Sequence, residues 1–299
     1  MQYADAVEAF FPARHDAVLP TVVTSPTPAR RLRDALEPVA MNDVWSPAVH
    51  ARTSALGLDF LLTYVASRGT ALGEPLPGVV AAAFAWFEPG LVAALYEGAL
   101  AGVSRDVVVA ARDEGVAAGL REVLGPDVAD VADRLAAAVE HLDVAGRPLA
   151  AGLLARGRPA DPHLRLWWAC DVAREHRGDS HVAAALAAGF DAVQMNVLTE
   201  LWVGMALQSY TATRGWPADA IAAAVASLRE RGLLDGDVLS EAGRQARGQV
   251  EAATDRQGQQ LVDLLGDDLE PLCTRLDAWA DALVAAGHFP ADVLKRAAG

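Results

Sequence analysis

The densest chemistry in this chain stands in one octapeptide, REHRGDSH, at positions 174–181. Six of the eight residues can ionise or ligate a metal, and two are histidines, His176 and His181, five positions apart. Three uses are open to it. In an enzyme, a neutral His181 could act as general base while His176 or Arg177 stabilises negative charge. A metal could draw on both histidines with Asp179 or Glu175. Helical zinc pairs, however, use i, i+4 on one unbroken helix, so the reading adopted here has no metal. In the third use the stretch is a polar joint, with Gly178 ending one helix in the left-handed conformation and Asp179 capping the next.

The flanking residues favour a joint as the local structure. Residues 162–176, PHLRLWWACDVAREH, read as a helix entered through Asp161-Pro162, and residues 180–188, SHVAAALAA, as a second helix. His181 would then lie in a first turn, where the helix dipole disfavours imidazolium, and His176 near a helix end, where a cation is favoured. The two are expected to differ in protonation. Neither a turn nor a cap demands a histidine, so the pair carries the functional hypothesis. An aromatic set joins it. Trp45, Trp86, Phe87 and Trp202 fall near repeated blocks, and Asn42 precedes Trp45 where it could add a polar contact. His50 lies beside the position aligned with His181 and reads as an exposed helical residue.

Those blocks recur in order. ALGLD (55–59) returns as AAGFD (187–191), YVASRG (64–69) as YTATRG (210–215), and VVAAAFAWF (79–87) as AIAAAVASL (220–228). Three ordered matches point to an internal duplication. The second copy ends in a distinct unit. Ile221, Val225 and Leu228 share one helical face after Pro217, and Gly232 stops that helix. Residues 233–234 and 238–239 flank Asp235-Gly236-Asp237 as a short hairpin, and Ser240 starts a long helix. Helix, hairpin and long helix make the second half of a winged helix, and LRERGLLDGD with LSEAGR is similar to the corresponding part of MarR-type regulators.

The wider chain resembles an actinobacterial family of helix-turn-helix, MarR-like proteins. The resemblance is carried by LEPV (36–39), RGTALG (68–73), FAWFEP (84–89), AGRPL (145–149), PHLRLWW (162–168), REHRGDSHVAA (174–184) and the winged unit. It implies two winged-helix-like halves in one polypeptide and no particular activity. The chain departs from the family's pattern after LEPV: a histidine and an aromatic segment are usual there, and here AMNDVWSP (40–47) follows. Ala40 in place of that histidine implies an altered pocket.

DNA is not the expected partner. A recognition helix presents long polar side chains to base edges, whereas residues 217–231 offer mostly alanine, with Arg229 and Arg231 only at the far end. The corresponding residues 78–92 hold no basic side chain, and the wing tip is acidic. Lys+Arg 25 against Asp+Glu 39 gives a net charge of −14, which works against phosphate neutralisation and anionic membrane alike. Apolar runs are too short to span a bilayer. Cys170 and Cys273 suggest no disulfide framework, consistent with a cytoplasmic setting. Phosphate-loop, dinucleotide and serine-nucleophile motifs are absent from the sequence, so no cofactor is expected.

The expected architecture is mainly α with small β-wings. Residues 1–28 form an N-terminal extension, 29–103 a first winged-helix-like half, 104–160 a helical bridge broken at Gly125-Pro126, 161–256 a second half, and 257–299 further helices. The expected function is binding of an apolar or aromatic small molecule between the halves, by a monomer with an internal pseudo-dimer or by a homodimer. His176, Arg177, Asp179, His181, Asn42, Trp45, Trp86, Phe87 and Trp202 are the candidate contacts. An enzyme on the same pocket, using His181 and His176, and a MarR-like transcriptional regulator are the alternatives.

Overall fold

The computed structural model describes residues 1–12 and 24–298. Its helices are α1 (Tyr3–Phe10), α2 (Pro28–Ala40), α3 (Asn42–Trp45), α4 (Pro47–Ser54), α5 (Phe60–Gly69), α6 (Pro77–Phe84), α7 (Pro89–Leu100) and α8 (Arg105–Leu124). They continue as α9 (Ala129–Val139), α10 (Pro148–Ala155), α11 (Pro162–Ala187), α12 (Ala192–Trp202), α13 (Ala218–Glu230), α14 (Glu241–Leu265), α15 (Leu269–Ala285) and α16 (Val293–Ala298). Strands β1 (Leu234–Asp235) and β2 (Val238–Leu239) pair antiparallel as the hairpin expected between α13 and α14. Proline opens α2, α4, α6, α7, α10 and α11, where its missing N–H has no intrahelical partner to lose.

The central element corrects the sequence reading. Residues 162–187 form one continuous α11, with neither a break at Gly178 nor a cap at Asp179. Gly178 has ordinary helical space around it, and glycine inside a helix costs only about 1 kcal/mol. That cost is offset by packing, because α11 lies against α2, α9, α10 and α14. Trp167 and Trp168 are buried at its heart, and their indole N–H groups donate to Ala40 O and Leu153 O, both at 2.9 Å. Asp179 does cap a helix, but a different one: its Oδ2 accepts from Leu149 N at 3.1 Å and Ala150 N at 3.2 Å, in the first turn of α10.

The winged unit follows its local signals. Ile221, Val225 and Leu228 are buried, Gly232 takes φ +71° after α13, and Ser240 accepts from Gly243 N at 3.0 Å to start α14. That helix runs on to Leu265, past the expected boundary at 256. The first half differs from expectation, since among the described residues it holds no strand. There α6 passes into α7 through only four residues, 85–88, too few for a hairpin. Residues 104–142 form two helices separated at Gly125-Pro126, α8 packed on α4 and α9 on α11, and α10 follows as a third before residue 160.

Local geometry is alike around the first of the matched blocks, 55–59 and 187–191. Gly57 and Gly189 have φ of +82° and +75°, and Asp59 and Asp191 cap α5 and α12 by accepting from Leu62 N and Gln194 N. The second block does not continue that register: Tyr64 and Arg68 lie within α5, whereas Tyr210 and Arg214 follow α12 on a 3-10 turn, Thr211–Arg214. Among the described residues no single helix is long and apolar enough to cross a membrane.

Candidate functional site

Residues 29–103 and 161–256 meet at Trp86. Ala85 holds φ +51° and ψ −53° in a tight turn closed by Trp86 N donating to Phe84 O, which aims the next carbonyl across the junction. Trp86 O then accepts from Asn196 Nδ2 at 2.8 Å and Trp216 Nε1 at 2.9 Å, while Glu88 N donates to Arg214 O at 2.9 Å. Beneath this joint lies a cavity of about 250 Å3. Its walls come from α1, α2, α3, α5, the 86–87 loop, α11, α12, the 205–214 segment, α14, residues 289–290 and α16.

Much of the cavity lining is aromatic and apolar. Trp45 packs at 5.4 Å from Phe60 and at 5.8 Å from Phe10, Tyr64 lies 5.6 Å from Phe87, and Met41, Met195 and Met205 fill between. The lining also holds a lattice of guanidiniums around two buried carboxylates. Arg177 Nη2 donates to Glu251 Oε1 at 2.5 Å and to Asp255 Oδ1 at 2.9 Å, Arg247 Nη1 to Glu251 Oε2 at 2.9 Å, and Arg30 Nη1 to Glu251 Oε1 at 3.1 Å. Burial opposes ionisation of Glu251, yet those three arginines hold its carboxyl well below the usual range. Arg68 grips Glu175 with two bonds, at 2.6 and 2.8 Å, and Arg174 adds a third at 2.7 Å. Nine basic side chains and three carboxylates line the wall, the reverse of the chain's overall charge balance.

The octapeptide is divided by its own helix. His181 and Arg177 face the cavity; His176 and Asp179 do not. Five residues along an α-helix turn a side chain by about 140°, so the two histidines cannot share a ligand. His176 bonds Asp143 O at 3.1 Å, and burial, then Arg147, pushes its pKa down to about 4. His181 is also held well below its usual value, by burial first and then by Arg247. Burial thus disfavours the imidazolium form of both rings, where the sequence led us to expect the two to differ in protonation. The dipole argument fails because neither histidine is near a helix end.

The aromatic expectations divide similarly. Trp45, Trp86 and Phe87 line the cavity. Trp202 instead lies under the Arg247 guanidinium, 4.1 Å from its centroid and outside the lining. Asn42 is fully buried behind the wall with its amide unpartnered, and it does not reach the cavity. His50 is buried rather than exposed, bonded to Val44 O at 2.7 Å and stacked on Tyr3. No group of three or more His, Cys, Asp or Glu among the described residues is placed to hold a metal.

Several lining residues escaped the sequence reading. Tyr64, Arg68, Tyr210 and Arg214 were visible only as parts of a repeated block, yet all four face this one cavity. Arg247 and Glu251, an i, i+4 pair on a long helix, resemble an ordinary solvated pair until α11 and α2 cover them.

Comparison with known proteins bears on the scaffold. Residues 29–290 match a helix-turn-helix family, and the chain belongs to that family. Neither curated proteins nor solved structures give a match.

Proposed function

We propose that this member of the helix-turn-helix family binds an apolar or aromatic small molecule in the cavity between its halves, and that its winged unit does not read DNA. The carrying observation is the cavity itself, lined by both aromatic and cationic side chains drawn from residues 29–103, α11 and the segments after it. Its volume of about 250 Å3 lies just under the roughly 300–1,000 Å3 of small-molecule sites, which suits a compact ligand.

The outward face of α13 supports the second part of the reading. Ala218, Asp219, Ala222, Ala223 and Ala226 are its exposed residues in the first three turns. Arg229 is turned onto the wing, donating to Gly236 O at 3.1 Å and Asp237 Oδ1 at 2.8 Å, and Arg231 stacks on Phe190 at 4.5 Å. Little is left to meet phosphates or base edges.

Native against denaturing mass spectrometry of the purified protein tests the binding claim, repeated on Trp86→Ala and His181→Ala. A non-covalent mass carried by the wild type and lost in both variants is the expected result; one retained in both places the ligand elsewhere. Fluorescence anisotropy with mixed-sequence duplex DNA at about 50 mM salt, where backbone contacts are strongest, tests the regulator alternative. Saturable binding there would overturn the second part.

A further inference from the structure

We propose that Arg214 is the anion receptor of this cavity and that the ligand is a singly charged carboxylic acid with an aromatic or alkyl body. The inference rests on the cavity being a binding site and names the chemistry it selects.

Every other arginine of the wall has a carboxylate within 4 Å. Arg30, Arg177 and Arg247 converge on Glu251, Arg68 and Arg174 on Glu175, and the remaining two reach aspartates of α2 and α15. Among the described residues no carboxylate pairs with Arg214, and its buried Nε has no hydrogen-bond partner. The positive lining is therefore largely satisfied from within, apart from this one guanidinium.

The Arg214 guanidinium is also held ready. It stacks on Tyr210 at 4.1 Å and on Phe87 at 4.6 Å from the ring centroids. Stacking occupies the faces of the planar fork and leaves its N–H edges for an in-plane acceptor, the geometry a carboxylate meets with two parallel bonds. Its backbone is pinned from both sides. Glu200, fully buried on α12, accepts from Gln208 N at 2.7 Å, Tyr210 N at 2.9 Å and Thr211 N at 2.8 Å. Arg214 O takes the N–H of Glu88 from the other half. A receptor fixed before the ligand arrives loses little ordering entropy on binding.

Arg68 shows the contrast. It too stacks on a phenyl ring, Phe84 at 4.5 Å, but Glu175 fills its fork. One open guanidinium matches one negative charge, and the aromatic lining of the cavity matches the rest of the molecule.

The test is isothermal titration of the full-length protein with three probes of one shape: 2-naphthoate, the neutral 2-naphthalenemethanol and 2-naphthyl phosphate. The expected result is that wild type binds the carboxylate at least about tenfold more tightly than the alcohol, as charge-assisted bonds give. Arg214→Gln should abolish that preference by weakening the carboxylate far more than the alcohol, while Arg214→Lys keeps part of it. No preference in wild type, or one unchanged in folded Arg214→Gln, overturns the receptor assignment while the cavity reading stands. Tighter binding of the phosphate than of the carboxylate overturns the singly charged class. If none of the three binds folded wild type, the cavity reading falls and this inference with it.

Discussion

His181 donates its Nδ1–H to Thr254 Oγ1 at 2.9 Å, because the single hydroxyl proton of Thr254 already goes to Val250 O at 2.8 Å. The tautomer follows from that geometry: Nε2 carries a lone pair, in a neutral ring 5.5 Å from Trp86 at the edge of the cavity. An unfolded chain takes up a proton on this histidine below about pH 6.5, and the folded chain does not. Stability contributed by the neutral ring is thus present above that pH and lost as pH falls through it. His181→Ala should lower stability at pH 8 by about 2–3 kcal/mol through the lost bond and the space beside Trp86. It should also make the decline in Tm from pH 7 to pH 5 shallower than in wild type. Parallel melting curves would show that His181 is protonated in the fold.

Asp179 runs in the opposite direction. Burial, then Glu175, raises its pKa to about 7, even though the N–H groups of Ala150 and Leu149 favour the anion. With the folded value above the unfolded one, the folded state binds more protons between about pH 4 and pH 7, so stability falls as pH rises through that window. Asp179→Asn keeps an oxygen for both α10 N–H groups and cannot ionise. Its Tm should exceed the wild-type value at pH 8 and approach it near pH 5. A variant less stable than wild type at pH 8 would show that the charge itself holds α10.

The same residue shows where sequence reading stopped. Gly178-Asp179 has the local form of a helix stop and cap, and nothing nearby reveals that the carboxylate serves a helix some thirty positions earlier. Boundaries set by neighbouring residues were legible, as at Gly232, at Ser240 and at the two-residue strands. So were Trp45, Trp86, Phe87, Arg177 and His181 as lining residues. The cationic wall was hidden because its arginines lie on five helices and one turn, from Arg30 to Arg296, and only packing gathers them. His176 was misplaced for the same reason: an unbroken α11 turns it away from His181.

Glu200 offers a test of how the receptor turn is held. Glu200→Ala removes the acceptor of three backbone N–H groups at once, of which that of Thr211 is buried, and should lower stability by about 1–3 kcal/mol. Glu200→Gln retains one acceptor oxygen and should fall between. If the turn positions Arg214, both variants should weaken 2-naphthoate in the same order as they lose stability, while 2-naphthalenemethanol is affected less. Equal losses for both probes would mean that Glu200 supports the cavity as a whole and not the guanidinium.

Ala85 holds a positive φ in the turn just before Trp86. A residue with a Cβ at φ +51° carries roughly 1–2 kcal/mol of steric cost that glycine avoids. Ala85→Gly relieves that cost and adds freedom to the unfolded chain, so a net gain of up to about 1 kcal/mol is expected. The gain should appear as a higher urea midpoint with unchanged m-value. Since Trp86 O must still meet Asn196 and Trp216, the cavity should keep its shape and probe affinities should move less than twofold. A fall in stability would place the cost elsewhere: the Ala85 methyl would then contribute more by packing at the junction than its backbone loses in the turn.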